Sequence, residues 1–323
     1  MKRFLKKWER DCLVAGIVLL CIPIFFGCAK MQKKPYHIAM VTKSTESAFF
    51  QSVFSGARAA AAEYNLEVSF DGPNMEEDWE LQNDMIRKAV SDGADALVVS
   101  AVDYNKNAET VDWAAAQGVS VVVIDSDVNS EQVRCRIGTD NIEAGNKAAE
   151  AALACREGAL VIGIVNFDEN TANGQEREDG FRARVEDDAR VDAIYTINVD
   201  STTEDAREKT KLLLKEHPDI NVIATFNEWT SLGVGFAIRD LDRKDETDVV
   251  AFDSNTVSVG MLETGEVDAL IVQNPYAMGY LGIEKAWTLL NGKHLKETRY
   301  NTETTIVTRE NMFLEDYQRI LFR

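Results

Sequence analysis

Five short apolar runs in this 323-residue chain end at, or shortly before, a carboxylate or a side-chain amide. Asp103 follows the run 96–100, and Asp125 closes Val121-Val122-Val123-Ile124. Asn227 follows Ala224-Thr225-Phe226, Asp253 follows Val250-Ala251-Phe252, and Gln273 follows Leu270-Ile271-Val272. Arg177 opens a helical stretch after the polar loop 166–173, and Ser47 precedes two adjacent rings, Phe49 and Phe50. Planar carboxylate, amide and guanidinium groups bind neighbouring hydroxyls in pairs, while an aromatic ring takes the apolar C–H face of a sugar. Any one of these polar residues reads equally well as a cap or turn former. Their coincidence at equivalent strand ends points to a carbohydrate site.

Catalysis would need more. Asp125 and Asp253 could be paired as glycosidase carboxylates, but beside Arg177 and several amides both read as ionised acceptors. The chain has no Gly-x-Ser-x-Gly elbow, no Walker A lysine loop, no complete Gly-x-Gly-x-x-Gly and no paired histidine ligands. It reads as a binding protein, not an enzyme, and no cofactor is expected.

The elements that must position these residues alternate strand with helix. The first unit is a buried strand at 38–41, a polar loop at 43–48 and a helix carrying Phe50, Val53, Phe54, Ala57, Ala61 and Tyr64 at three- and four-residue spacing. Thr45 and Ser47 offer capping hydroxyls for that helix. Strands follow at 66–70, 96–100, 119–124, 134–138, 159–165, 193–199, 221–226, 249–252, Ala269–Val272 and 304–307. Helices fall at 76–91, 108–117, 142–155, around Arg177 and Phe181, and at 204–216, 230–241, 257–263 and 277–290. This alternation predicts an α/β fold of parallel sheets covered on both faces. So many strands imply two sheets rather than one. With no Pro-rich linker between them, the chain crosses at strand ends, which makes a hinge.

The N-terminus is of another kind. Lys2, Arg3, Lys6, Lys7 and Arg10 precede an apolar run at 13–26, too short to span a bilayer comfortably. The run ends Phe25-Phe26-Gly27-Cys28, resembling a bacterial lipobox in which Cys28 is lipidated; an uncleaved anchor and a freely secreted product are the alternatives. All three export the domain. The formal charge is −19, of which residues 1–28 contribute +3, leaving −22 on the remainder. So acidic a domain repels phosphate backbones and argues against nucleic-acid binding. His37, His217 and His294 are scattered and no cysteine pair has ligand spacing, so no metal site is expected. Cys135 and Cys155 stand at the start of a strand and the end of the next helix, and whether they are bonded is left open.

Over residues 38–307 the chain resembles the ribose/galactose-type periplasmic binding proteins, which share the LacI-like ligand-binding fold. The matching pieces are Ser47-Ala48-Phe49-Phe50, Val123-Ile124-Asp125, Gly138-Thr139-Asp140-Asn141, Arg177-Glu178-Asp179-Gly180-Phe181, Asn227 with Leu232-Gly233, Ala251-Phe252-Asp253 and Gln273-Asn274-Pro275. By that resemblance Phe49 and Phe50 sandwich a sugar ring, and Ser47, Asp125, Arg177, Asn227, Asp253 and Gln273 bind its hydroxyls and ring oxygen. Ser126 stands where ribose binders carry arginine, and the second lobe's aromatic is missing near Asp200-Ser201-Thr202-Thr203. Trp229 is its candidate replacement. The resemblance carries over the site without the identity of the sugar.

It also implies a periplasmic binding protein type I architecture. After the signal segment 1–28 and a tether at 29–35, one lobe would comprise 36–139 and 274–302, the other 140–273 and 303–323. The implied product is a monomeric sugar-binding protein serving an ABC permease, or alternatively a sensor kinase or chemoreceptor. A LacI-type repressor is disfavoured, because a signal segment stands where its DNA-binding headpiece would be.

Overall fold

The structure is a computed structural model that describes residues 34–167 and 169–322. The apolar N-terminal run and Cys28 lie outside the described residues.

Twelve strands and ten helices follow one another among the described residues. The first half runs β1 (His37–Val41), α1 (Ala48–Tyr64), β2 (Glu67–Asp71), α2 (Trp79–Ser91), β3 (Ala96–Val99), α3 (Ala108–Ala116), β4 (Ser120–Ile124) and β5 (Cys135–Thr139). Then come α4 (Asn141–Cys155), β6 (Leu160–Asn166), α5 (Ala172–Val185), β7 (Val191–Asn198), α6 (Thr203–Glu216), β8 (Val222–Thr225) and α7 (Glu228–Asp240). The rest is β9 (Asp248–Phe252), α8 (Thr256–Thr264), β10 (Ala269–Val272), α9 (Pro275–Leu290), β11 (Arg299–Thr302), β12 (Thr305–Thr308) and α10 (Glu315–Leu321).

The strands form two six-stranded sheets, ordered β11-β5-β4-β3-β1-β2 and β12-β10-β9-β8-β6-β7. Pairing is parallel except between β10 and β12. Central strands such as Ala96–Val99 and Ala269–Val272 are buried along their whole length, as parallel strands covered on both faces must be. The edge strand Glu67–Asp71 alternates exposed and half-buried residues instead. Each sheet, with its helices, carries an apolar cluster on either face and forms one lobe. The chain passes between sheets after β5, after β10, and between β11 and β12.

Two reciprocal glycine contacts set the helices that reach the interlobe face. A Cβ on Gly56 of α1 would lie 2.0 Å from the Tyr276 carbonyl oxygen, and one on Gly279 of α9 would lie 1.9 Å from that of Val53. In the second lobe a Cβ on Gly145 of α4 would lie 2.1 Å from the Arg177 carbonyl oxygen, and one on Gly180 of α5 2.2 Å from that of Ile142. Backbones this close leave room only for hydrogen.

Two features differ from the sequence reading, and the open question of the cysteines is answered. Helix α2 starts at Trp79, capped by Asp78, so Glu76 lies in a loop. Strand β11 and helix α10 were not anticipated: Arg-Tyr-Asn-Thr is a polar edge strand with no apolar run to announce it. Cys135 and Cys155 are free thiols. The helix that follows β5 does not fold back on it, because the chain has already crossed to the other lobe. Burial pushes the two thiols up to about 11 and about 12.

Candidate functional site

Each lobe contributes a carboxylate by the same local device. Asp125 after β4 and Asp253 after β9 both adopt left-handed backbone, with φ of 56° and 68°. The amide of each donates to a carbonyl of the neighbouring strand, Ile137 at 2.9 Å and Ile271 at 3.0 Å, before the chain turns away. Such a conformation costs a non-glycine residue about 1 kcal/mol or more. It leaves both carboxylates on the interlobe cleft. Asp125 accepts from Ser100 Oγ at 2.8 Å and from Asn173 Nδ2 of the opposite lobe at 3.2 Å.

Arg177 is the hub of the second lobe and only 1% exposed. Its Nε donates to Asn141 Oδ1 at 3.0 Å, Nη1 to the Phe226 carbonyl at 2.7 Å, and Nη2 to Gln273 Oε1 at 2.7 Å. The guanidinium carbon lies 4.8 Å from the centre of the Phe252 ring. Gln273 passes the interaction on, donating from Nε2 to Asp253 Oδ1 at 2.6 Å. Burial lowers the Arg177 pKa against the pull of Asp253 and Asp125. Burial likewise pushes Asp253 up to about 7, although the Arg177 charge and the Gln273 bond act in the opposite direction.

In the first lobe Ser47 caps α1, its Oγ accepting from the Phe50 amide at 3.2 Å. Phe49 and Phe50 meet edge to face, centroids 5.2 Å apart. Phe50 is buried in the lobe core, whereas Phe49 is half-buried beside the cleft. The two rings therefore do not present equivalent faces.

The lobes are closed on one another, and several bridging groups were not singled out from sequence. Glu228, in the first turn of α7, accepts from the Ala48 and Phe49 amides of the opposite lobe at 3.3 and 3.1 Å. Asn255 Nδ2 holds the same carboxylate at 2.9 Å. A carboxylate at a helix N-terminus satisfies free amides and the helix dipole together. Its neighbour Trp229 donates from Nε1 to Glu76 Oε1 at 3.1 Å. Glu76 also pairs with Lys43 at 3.3 Å, and the Lys43 ammonium lies 5.2 Å from the centre of the Phe167 ring of the second lobe. Burial pulls the Lys43 pKa down, but Glu76 and Asp125 outweigh it and hold the ammonium above its ordinary value. Burial raises the Glu228 pKa against the bonds from Phe49 and Ala48.

Ser47, Phe49, Phe50, Asp125, Arg177, Asn227, Trp229, Asp253 and Gln273 thus line one cleft, together with Lys43, Glu76, Asn173 and Glu228. Asn227 is partly committed: its Oδ1 caps α7 through the Thr230 amide at 2.9 Å, and its Nδ2 donates to Ser201 Oγ at 3.2 Å. Two candidates lie elsewhere. Asp103 accepts from the Asn105 and Lys106 amides and lines a separate cavity with Trp79 and Asp200. Ser126 is fully buried, its Oγ without a hydrogen-bond partner, and is not part of the cleft wall. Of the missed residues, Lys43 carried the clearest signal, a charge two residues after an apolar strand. Glu76 was hidden by its assignment to a helix. Among the described residues no group of acidic, histidine or cysteine side chains could hold a metal ion.

Two doubly wound lobes closing on a polar cleft with an aromatic ring at its edge define a hinged, ligand-capturing protein. The chain belongs to the periplasmic binding protein domain family, whose profile matches residues 38–294. It is 26% identical over 314 residues to a D-ribose/D-allose-binding protein of Pseudomonas aeruginosa, covering 93% of this chain and 98% of that one. It is also 26% identical to a ribose import binding protein of Bacillus subtilis, over 82% of this chain and 85% of the other. Among solved structures, a carbohydrate transporter solute binding protein from Agrobacterium radiobacter, in complex with D-arabinose, superimposes with a TM-score of 0.86 at 26% identity. That match covers 90% of this chain and all of the other. A sugar transporter from Clostridium phytofermentans gives a TM-score of 0.76 at 30% identity, over 84% and 99% of the two chains. The family is extracytoplasmic and binds rather than transforms its ligands.

Proposed function

We propose that this protein captures a neutral monosaccharide or related polyol between its lobes and delivers it to an ABC-type importer. The observation that carries this reading is the matched pair of left-handed aspartates, Asp125 and Asp253, facing one cleft with Arg177 and Gln273 between them and Phe49 beside them. Those groups, with Ser47, Phe50 and Asn227, form the ligand's wall; Lys43, Glu76 and Glu228 complete it. The cavity left between these side chains measures about 20 Å³, far below the roughly 300 Å³ at which small-molecule sites begin. A ring therefore enters only as the lobes part. The lobes are 36–139 with 274–302 and 140–273 with 303–323, and Thr139–Asp140, Gln273–Asn274 and Thr302–Glu303 bend between them. Micromolar capture requires about −8 kcal/mol, within reach of several charge-assisted bonds after ordering costs. A thermal-shift screen of pentoses, hexoses and polyols should give at least one clear rise in melting temperature. A flat response across the panel overturns the reading.

Cys28 is the proposed lipid anchor of a monomeric domain. Phe25 and Phe26 are bulkier than lipobox residues usually are, and they favour a second reading, in which the 13–26 run remains as an anchor and the domain reports sugar to a membrane kinase or chemoreceptor. Intact mass of the membrane-extracted protein separates them: a diacylglyceryl adduct beginning at Cys28, or an unmodified chain beginning at Met1.

A further inference from the structure

A second cavity adjoins the cleft and is much roomier, about 290 Å³ against about 20 Å³. Phe49, Asp253 and Gln273 belong to the walls of both. Its far side is made by Tyr276 at the start of α9, Asn255 before α8, Glu303 at the β11–β12 crossing, and Phe322 after α10. Both lobes contribute. Phe49 comes from the first and Asp253 from the second, and the wall the two cavities share lies between the lobes.

The wall chemistry repeats that of the cleft. Two rings with free surface, Tyr276 at 38% and Phe322 at 62% exposure, stand among carboxylate and amide groups. Rings give area to the C–H face of a sugar and the polar groups take its hydroxyls. The volume approaches the lower end of ordinary small-molecule sites, about 300 Å³. The other large cavity, beside Trp79 and Asp200, shares no wall residue with the cleft.

We infer that this side cavity is a second ring subsite: the natural ligand is a disaccharide, or a glycoside with a ring-sized substituent, lying across the shared wall with one ring in the cleft and the other against Tyr276 and Phe322. The inference rests on the sugar-binding reading above and departs from it in ligand size, a two-ring ligand in place of a monosaccharide. A monosaccharide would fill only the inner half.

The test is calorimetry of the full chain with matched probes: each common hexose and pentose, its methyl and phenyl glycosides, and a set of disaccharides. A disaccharide or phenyl glycoside should bind at least about tenfold tighter than its parent sugar, equivalent to about 1.4 kcal/mol. Phe322→Ala should shrink that advantage while leaving the parent sugar's affinity unchanged. Thr256→Trp, an exposed position on the cavity wall, should block the second ring and spare the monosaccharide. Parent sugars that bind while every glycoside is rejected overturn the subsite and leave the sugar-binding reading intact. So does an advantage that survives both substitutions. Silence from every probe overturns both.

Discussion

The two lobes use one scaffold and present different chemistry from it. In each, a helix pair is brought together by reciprocal glycines, Gly56 with Gly279 and Gly145 with Gly180. In each, an aspartate after an inner strand turns left-handed toward the cleft. The helix after the first strand of the sheet then carries different cargo. Helix α1 offers the Phe49 ring and two N-terminal amides, which the other lobe's Glu228 takes. Helix α5 offers Arg177, set among neutral acceptors and one ring. The scaffold is duplicated; the few side chains at its rim are not.

The largest expected effect lies on the α5 side. Arg177→Ala should weaken sugar binding by about 2–4 kcal/mol, because buried acceptors lose charge-assisted bonds. Phe49→Ala, at the corresponding end of α1, should cost about 0.5–1.5 kcal/mol in lost stacking beyond area. Isothermal titration of both variants decides it; equal losses would erase the asymmetry.

The glycine pairs sharpen the comparison next. Gly56→Ala and Gly145→Ala should each destabilise the fold by about 1–3 kcal/mol through overpacking, read from denaturant midpoints. Only Gly145→Ala presses on the Arg177 backbone, so only it should also lower sugar affinity in the fraction that remains folded. If both variants bind as wild type, the guanidinium is not positioned by this contact.

Asp253 gives a pH signature of about tenfold between pH 6 and 8. Its folded pKa of about 7 lies above the ordinary carboxylate value, so the folded state keeps the proton longer than the unfolded one. Its contribution to stability is therefore fully present below about pH 4 and is lost as pH rises to about 7. A sugar hydroxyl donating to the carboxylate favours the ionised form, so affinity should rise between about pH 6 and 8 with release of a proton. Titrations in buffers of different ionisation enthalpy measure the proton, and Asp253→Asn should abolish the trend.

The smallest effect is expected from Glu228→Gln. It keeps the size of the interlobe cap but removes its charge, about 0.3–1 kcal/mol of helix-dipole interaction, and turns one of its two accepting oxygens into a donor. The unliganded protein should shift toward open lobes, seen as a larger radius in small-angle scattering. No change in radius would mean that the remaining bridges, such as Trp229 to Glu76, hold the lobes shut without it.

Much of this was legible in sequence because it followed from apolar runs and what ended them. Asp125, Asp253, Asn227 and Gln273 sit at strand ends that any period count finds, and Arg177 and Phe49 open helices. What escaped depended on where one lobe meets the other. Glu228 reads locally as an ordinary acid in a first helical turn, and its partners are amides of residues 48 and 49. Asp103 was misjudged for the opposite reason: its strand end is equivalent, but its carboxylate is consumed by the amides of its own loop. Whether Cys135 meets Cys155 was left open for the same reason: it turned on where the chain crosses between lobes.

Those crossings also govern the order in which the protein can be made. The apolar face of α1 around Val53 and Ala57 is covered by α9, residues 275–290, and the outer edge of β5 waits for β11 at 299–302. The first lobe to be synthesised is thus the one whose own helix and strand arrive after nearly all of the second. Contacts so distant along the chain are slow to form. Translation halted anywhere short of residue 302 yields an incomplete first lobe, never a finished half.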